Sequence, residues 1–157
     1  MLIETRSVTQ AAQLFGSSWQ VNSVVFAGIL VMILLANLFV LLVRPQRLWP
    51  FYAGLAAALA LCLAVPTDLF VGHALALRIC EYSVVQFLPI FFAGVLFATS
   101  FDRSSDPALA FGANIAGVVL GGLLEYSSLV IGYQALLLVA AALYALSLFG
   151  VRRLAVP

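Results

Sequence analysis

Apolar residues run along this chain in long, nearly unbroken stretches set apart by short polar punctuation. A helix needs about 20 such residues to cross a hydrocarbon layer roughly 30 Å thick. Five stretches meet or approach that length: about 22–43, 48–65, 82–101, 108–126 and 134–151. The first stops at Arg44-Pro45-Gln46-Arg47. The second opens on Trp49, Phe51 and Tyr52, with Pro50 in the first turn, where its missing N–H costs little. Pro66-Thr67-Asp68 ends it. The third contains Pro89, which predicts a kink, and stops at the polar run 102–107. The fifth closes on Arg152-Arg153. The runs are continuous rather than alternating, which predicts helices and not barrel strands.

Two segments depart from this pattern. In residues 1–21, Val8, Ala12, Phe15 and Trp19 recur at helical spacing among Glu4, Arg6, Thr9, Gln10, Gln13 and Ser17. That predicts an amphipathic helix of about four turns, lying in a membrane interface or packed on another helix. Glu4 and Arg6 interrupt the region where a signal peptide would carry its apolar core. The stretch 69–81 carries His73, Arg78 and Glu81, which predicts a re-entrant or interfacial connector rather than a span. The fold class expected is therefore an all-α integral membrane protein, with about five transmembrane helices and an N-terminal amphipathic helix.

Composition sharpens this picture. Of 157 residues, 65% are hydrophobic and 8% charged, against about 25% charged in a soluble domain. So few charges cannot cover so apolar a chain in water. All seven cations are arginine. With five spans, Arg44, Arg47, Arg103, Arg152 and Arg153 fall on one side, and Arg6 and Arg78 on the other. The richer side is expected to be cytoplasmic, which puts the N-terminus outside and the C-terminus inside. A net charge of +1 argues against a nucleic-acid partner. Cys62 and Cys80 lack ligand or disulfide spacing and read as buried thiols.

Candidate chemistry is sparse. In the fourth run, Gly121 and Glu125 fall within about 20° of Asn114 on a helical wheel, and Gly117 about 60° to one side. Gly117, Gly121 and Gly122 beside Asn114 read as a helix-packing face, because small residues let two backbones approach closely. Glu125 is a possible intramembrane or interfacial acid. A carboxylate at the centre of a membrane helix costs about 2.5–3.5 kcal/mol on insertion scales. If the helix ends near Tyr126, Glu125 lies at the interface. If the helix continues, the carboxylate needs a partner, as a hydrogen-bond anchor or a relay group. Asn37 and Gln86 are candidates for interhelical hydrogen bonds, at about 0.6 kcal/mol each. One histidine, His73, is poor evidence for a metal or haem. No nucleophile, phosphate-loop or dinucleotide motif is present, and no cofactor is expected.

Several ordered motifs carry a family likeness. They are Met1-Leu-Ile-Glu4-Thr-Arg6-Ser-Val-Thr-Gln10, Leu14-Phe-Gly16-Ser-Ser-Trp19-Gln-Val-Asn22, Leu34-Leu-Ala-Asn37-Leu, Pro89-Ile-Phe-Phe-Ala-Gly94 and Gly121-Gly-Leu-Leu-Glu125-Tyr126 through Tyr133. Together they resemble the C-terminal multi-pass region of bacterial membrane-integrated spermidine-synthase-like proteins. In that family the helical region accompanies a soluble aminopropyltransferase-like domain, and the Glu-Thr-Arg motif follows a further apolar helix. Neither is found in these 157 residues, so the family's catalytic positions have no counterparts here. The resemblance implies a membrane module of the bacterial inner membrane without enzyme activity. The expected function is a non-catalytic membrane subunit that packs in or anchors a larger complex of respiratory, photosynthetic or polyamine-related type. Its expected partners are the bilayer and other membrane subunits or further copies of itself. The alternative is a small transporter or channel component for a polyamine or other small solute, using Glu125, Asn114 and Glu81.

Overall fold

The computed structural model describes the backbone of residues 1–65 and 75–154, and the side chains of 1–65 and 82–150. Among the described residues every regular element is helical: α1 (Leu2–Phe15), α2 (Trp19–Val43), α3 (Trp49–Ala64), α4 (Leu75–Asp102), α5 (Pro107–Glu125), α6 (Ser128–Ile131) and α7 (Ala135–Leu154). The apolar runs therefore fold as the sequence predicts. Capping fixes their ends. The Ser18 hydroxyl accepts from the Val21 N–H and starts α2 three residues ahead of the expected boundary. Asp106 accepts from the N–H groups of Ala108 and Leu109, with Pro107 in the first turn of α5. Gly16 and Gly132 end α1 and α6 at φ 91° and 84°, where a side chain would be strained.

Three helical stretches are long and apolar enough to cross a membrane: Trp19–Val43, Tyr82–Asp102 and Pro107–Ile131. Trp49–Ala64 is apolar but shorter, and α7 is apolar over its described part, Ala135–Gly150. At 1.5 Å per residue the 16 residues of α3 reach about 24 Å.

α4 is the centre of the bundle, packed between α2 and α3. Its fit depends on glycines facing rings or small side chains. A Cβ added to Gly28 of α2 would collide with the Phe87 ring of α4. One added to Gly54 of α3 would stand 2.6 Å from Phe92, and one added to Gly94 of α4 only 2.8 Å from the Ala36 Cβ. Where helices already sit in apolar surroundings, such close approach supplies the dispersion energy that holds them. Pro89 is fully buried in α4, and the helix runs unbroken through it.

Two expectations need correction here. Residues 75–81 are not a connector but the first two turns of α4, because the apolar run of the third span extends backwards as helix despite its charges. Residues 66–74 with His73, the side chains of Arg78, Cys80 and Glu81, and those of Arg152 and Arg153 lie outside the described residues.

The second correction concerns α1. It is a helix, but the face predicted to pack is not the one that is buried. Leu2, Ile3, Arg6, Ser7, Gln10 and Ala11 are inside, while Val8, Ala12 and Phe15 are half-buried and Trp19, in α2, is exposed. α1 packs against α2, α7, α4 and α5, so it is an internal helix and its polar stripe turns inward. The exterior is correspondingly apolar: Leu34 is 66% and Leu42 74% exposed on α2, with Leu109, Leu120 and Leu123 similarly open on α5.

Loops are tied at one end. Arg103, between α4 and α5, donates to the Gln46 carbonyl at 2.8 Å and to the Pro45 carbonyl, in the α2–α3 loop. Tyr52 near the start of α3 shares a 2.9 Å hydrogen bond with Ser147 on the last turns of α7. These contacts gather Arg44, Arg47 and Arg103 at a single end of the bundle, with the C-terminal half of α7.

Candidate functional site

Polar groups converge where α1 meets α3 and α4. Arg6, 3% exposed, donates from Nη1 to Gln86 Oε1 at 2.6 Å and from Nη2 to the Cys62 carbonyl at 3.3 Å. Tyr82 donates to the Ser7 carbonyl at 2.6 Å, and the Cys62 thiol to the Val85 carbonyl at 3.2 Å. The Ser7 hydroxyl returns to Ile3 on its own helix. Around this polar knot, Phe15 and Phe87 pack edge-on to Tyr82 with centroids 5.6 and 6.5 Å away. Arg6 Nε and Gln10 Oε1 are buried without a partner. No carboxylate pairs with Arg6 among the described residues, so its charge is held by amide and carbonyl dipoles, a geometry suited to locking helices together. Hydrogen bonds to a charged group contribute about 1.5–3 kcal/mol each.

Gln86 thus makes the interhelical hydrogen bond the sequence suggests, with Arg6 as its partner. Asn37 does not. It is exposed on the outer face of α2 and bonds to no described residue, because the inward stripe of α2 is Val25, Ile29, Ala36 and Val40. Arg6 was missed as a site residue, although Arg6 and Gln10 stand four apart and with Ser7 mark one polar helical face.

Glu125 closes α5, so the helix ends at the nearer of the two boundaries considered. Its Oε1 accepts from the Thr5 hydroxyl of α1 at 2.7 Å, and its carbonyl accepts from Ser128 at 2.6 Å. The carboxylate is a half-buried anchor between α1 and α5.

The glycine ladder does face the bundle: Ala110, Asn114, Gly121, Gly122 and Glu125 are the half-buried positions of an α5 that has no buried residue. No helix of this chain closes on it, however. A Cβ added at Gly117 or Gly122 would meet nothing within 4 Å, and one at Gly121 only the Met1 Cβ at 3.7 Å. The close-approach glycines of the fold are Gly28, Gly54 and Gly94 instead, each opposite a residue of a neighbouring helix. Within the described residues of this chain, therefore, nothing packs on Gly117 or Gly122 and only Met1 approaches Gly121. Beside Gly117 lies a partly open cavity of about 580 Å³ between α4, α5 and α7, closed at one end by the first turn of α1. Asn114, Glu4, Ser100 and Tyr144 are among the polar residues on its wall. The N-terminal amino group forms an ion pair with Glu4. Glu125 is not on that wall.

No group of three or more metal-ligating side chains occurs among the described residues. Compared with known proteins, the chain matches no family model, no curated protein and no solved structure.

Proposed function

We propose that this chain is a five-span integral membrane protein acting as a non-catalytic subunit that packs in, or anchors, a larger membrane complex. The observation that carries this reading is the inverted polarity of the bundle. Arg6, Ser7, Gln10, Gln86 and Thr99 are buried, while large aliphatic side chains of α2 and α5 are open. In water this arrangement would expose apolar surface far beyond what a monomer tolerates; in lipid the outer surface is matched and the polar groups find partners inside. The shorter α3 crosses with the help of local thinning or flanking side chains, while the 20 residues of α7 reach about 30 Å.

The arginine pattern supports an inside C-terminus. Arg44, Arg47 and Arg103 share one end, and Arg6 has moved from the opposing loops into the bundle, which leaves Arg78 alone in the count there. The motif resemblance to the helical region of bacterial membrane-integrated spermidine-synthase-like proteins supports the inner membrane. An α5 without a buried residue, and Asn37 with no partner on an outer face, support docking to other membrane subunits.

Purification from its own membranes in mild detergent tests the subunit role. Stoichiometric recovery with defined membrane proteins is expected; recovery as a lone homo-oligomer would sink the reading. Cysteine labelling tests topology: a tag at Pro157 reachable only from outside overturns it. The transport alternative draws support from Asn114 and Glu4 on the cavity wall. Equal solute flux through reconstituted wild type and Asn114→Leu, or none through either, removes it.

A further inference from the structure

We infer that the cavity between α4, α5 and α7 seats one acyl chain of a phospholipid, with the headgroup at the Ser104 end. This rests on the membrane placement above but not on the docking of a partner subunit.

Shape is the first argument. The cavity wall follows α4 from Ile90 to Phe101 and α5 from Ala110 to Gly121. Each stretch rises about 17 Å at 1.5 Å per residue. That matches one leaflet of a hydrocarbon core roughly 30 Å thick, the depth that a single acyl chain covers. The cavity's volume of about 580 Å³ is spread along that length as a partly open slot. A file of methylenes fits such a slot.

The distribution of chemistry is the second argument. Ile90, Ala93, Phe97, Ala113, Gly117 and Val118 give the slot a largely apolar body. Its far end meets Leu2 and Ile3 of α1, beside the Met1–Glu4 ion pair. The opposite end reaches Ser104, next to Arg103 in the loop that is tied to Pro45 and Gln46. Exposed Arg44, Arg47 and Arg103 gather at that end, where a lipid phosphate belongs. Asp102 and Asp106 also lie in this region, with Asp106 turned to the N–H groups of α5. The glycines of α5 then have a physical role: Gly117 without a side chain keeps the slot open.

The test uses the full chain. Native mass spectrometry in mild detergent should find one phospholipid retained per chain. Ala113→Phe with Gly117→Leu fills the slot and should lower retention by about tenfold or more. Gly112→Leu, at an open position off the cavity wall, should leave it unchanged and controls for folding. In vesicles of equal phosphatidylethanolamine and phosphatidylglycerol, a phospholipid bearing a diazirine at its acyl terminus should label residues 1–3. One bearing it beside the glycerol should label residues 100–104. Equal retention in the filled variant, labelling in the reverse order, or a protein helix crosslinked in the slot overturns the inference and leaves the membrane placement standing. Recovery of the chain in the soluble fraction overturns both.

Discussion

α4 and α5 are consecutive apolar helices that both contain glycine, yet they do opposite things with it. Gly94 of α4 lets α2 approach until Ala36 fills the space, and α4 ends up at the centre of the bundle between α2 and α3. Gly117 of α5 meets nothing, and no residue of α5 is buried. A small residue is only an opportunity for close approach. Whether it is used depends on a complementary surface arriving from a distant part of the chain, and for α5 that surface is not another helix of this protein.

The contrast can be broken most severely at Gly94. Gly94→Leu forces a branched side chain against Ala36 of α2, and overpacking by a whole side chain should cost about 3 kcal/mol or more, the upper end for inserted methylenes. The melting temperature in detergent should fall clearly, whereas Gly117→Leu should leave it within about 0.5 kcal/mol of wild type. Equal destabilisation at the two sites would show that α5 is as tightly packed as α4.

Next in size is the polar lock that joins α1 to α4. Gln86→Leu strips Arg6 of its strongest acceptor and should destabilise the protein by about 1.5–3 kcal/mol. Arg6→Met in the same chain should restore much of that loss, since the remaining buried charge is what costs. A double-mutant cycle on detergent unfolding reads the coupling directly; additive effects would mean that the 2.6 Å hydrogen bond carries no energy.

The smallest effect is expected where α5 is anchored. Thr5→Val removes the donor to Glu125 and should cost about 0.6 kcal/mol, the average for interhelical hydrogen bonds in membrane bundles. Its signature is local: proteolysis or hydrogen exchange in residues 107–131 should rise, with the α2–α4 contact unaffected. A loss of protection throughout the bundle would contradict a loosely held α5.

How far the sequence reaches can be judged from particular residues. The C-terminal end of α2 and the start of α5 follow from Arg44-Pro45 and the polar run 102–107, because prolines and caps act on their own backbone, whereas the Ser18 cap that starts α2 three residues early does not stand out within residues 1–21. The half-buried stripe Asn114, Gly121 and Glu125 follows from helical periodicity. Gln86 was legible as a polar group needing a partner, but the identity of that partner, 80 residues earlier, was not. Asn37 looked the same in sequence and has the opposite environment, since polarity within an apolar run does not say which way the side chain points.

By itself the sequence determined that these segments are helices, but not every boundary: α2 begins three residues and α4 about seven residues ahead of the expected starts. Helix formation satisfies backbone groups locally, and an apolar run with capped ends needs no information from elsewhere. Only the tertiary structure decided which faces meet. A helical period has two sides, and in α1 the side with Arg6, Ser7 and Gln10 is inside, where Gln86, Tyr82 and the Cys62 carbonyl meet it. The choice of side belongs to the environment and to the partners that come together, and neither is written into the spacing of a single helix.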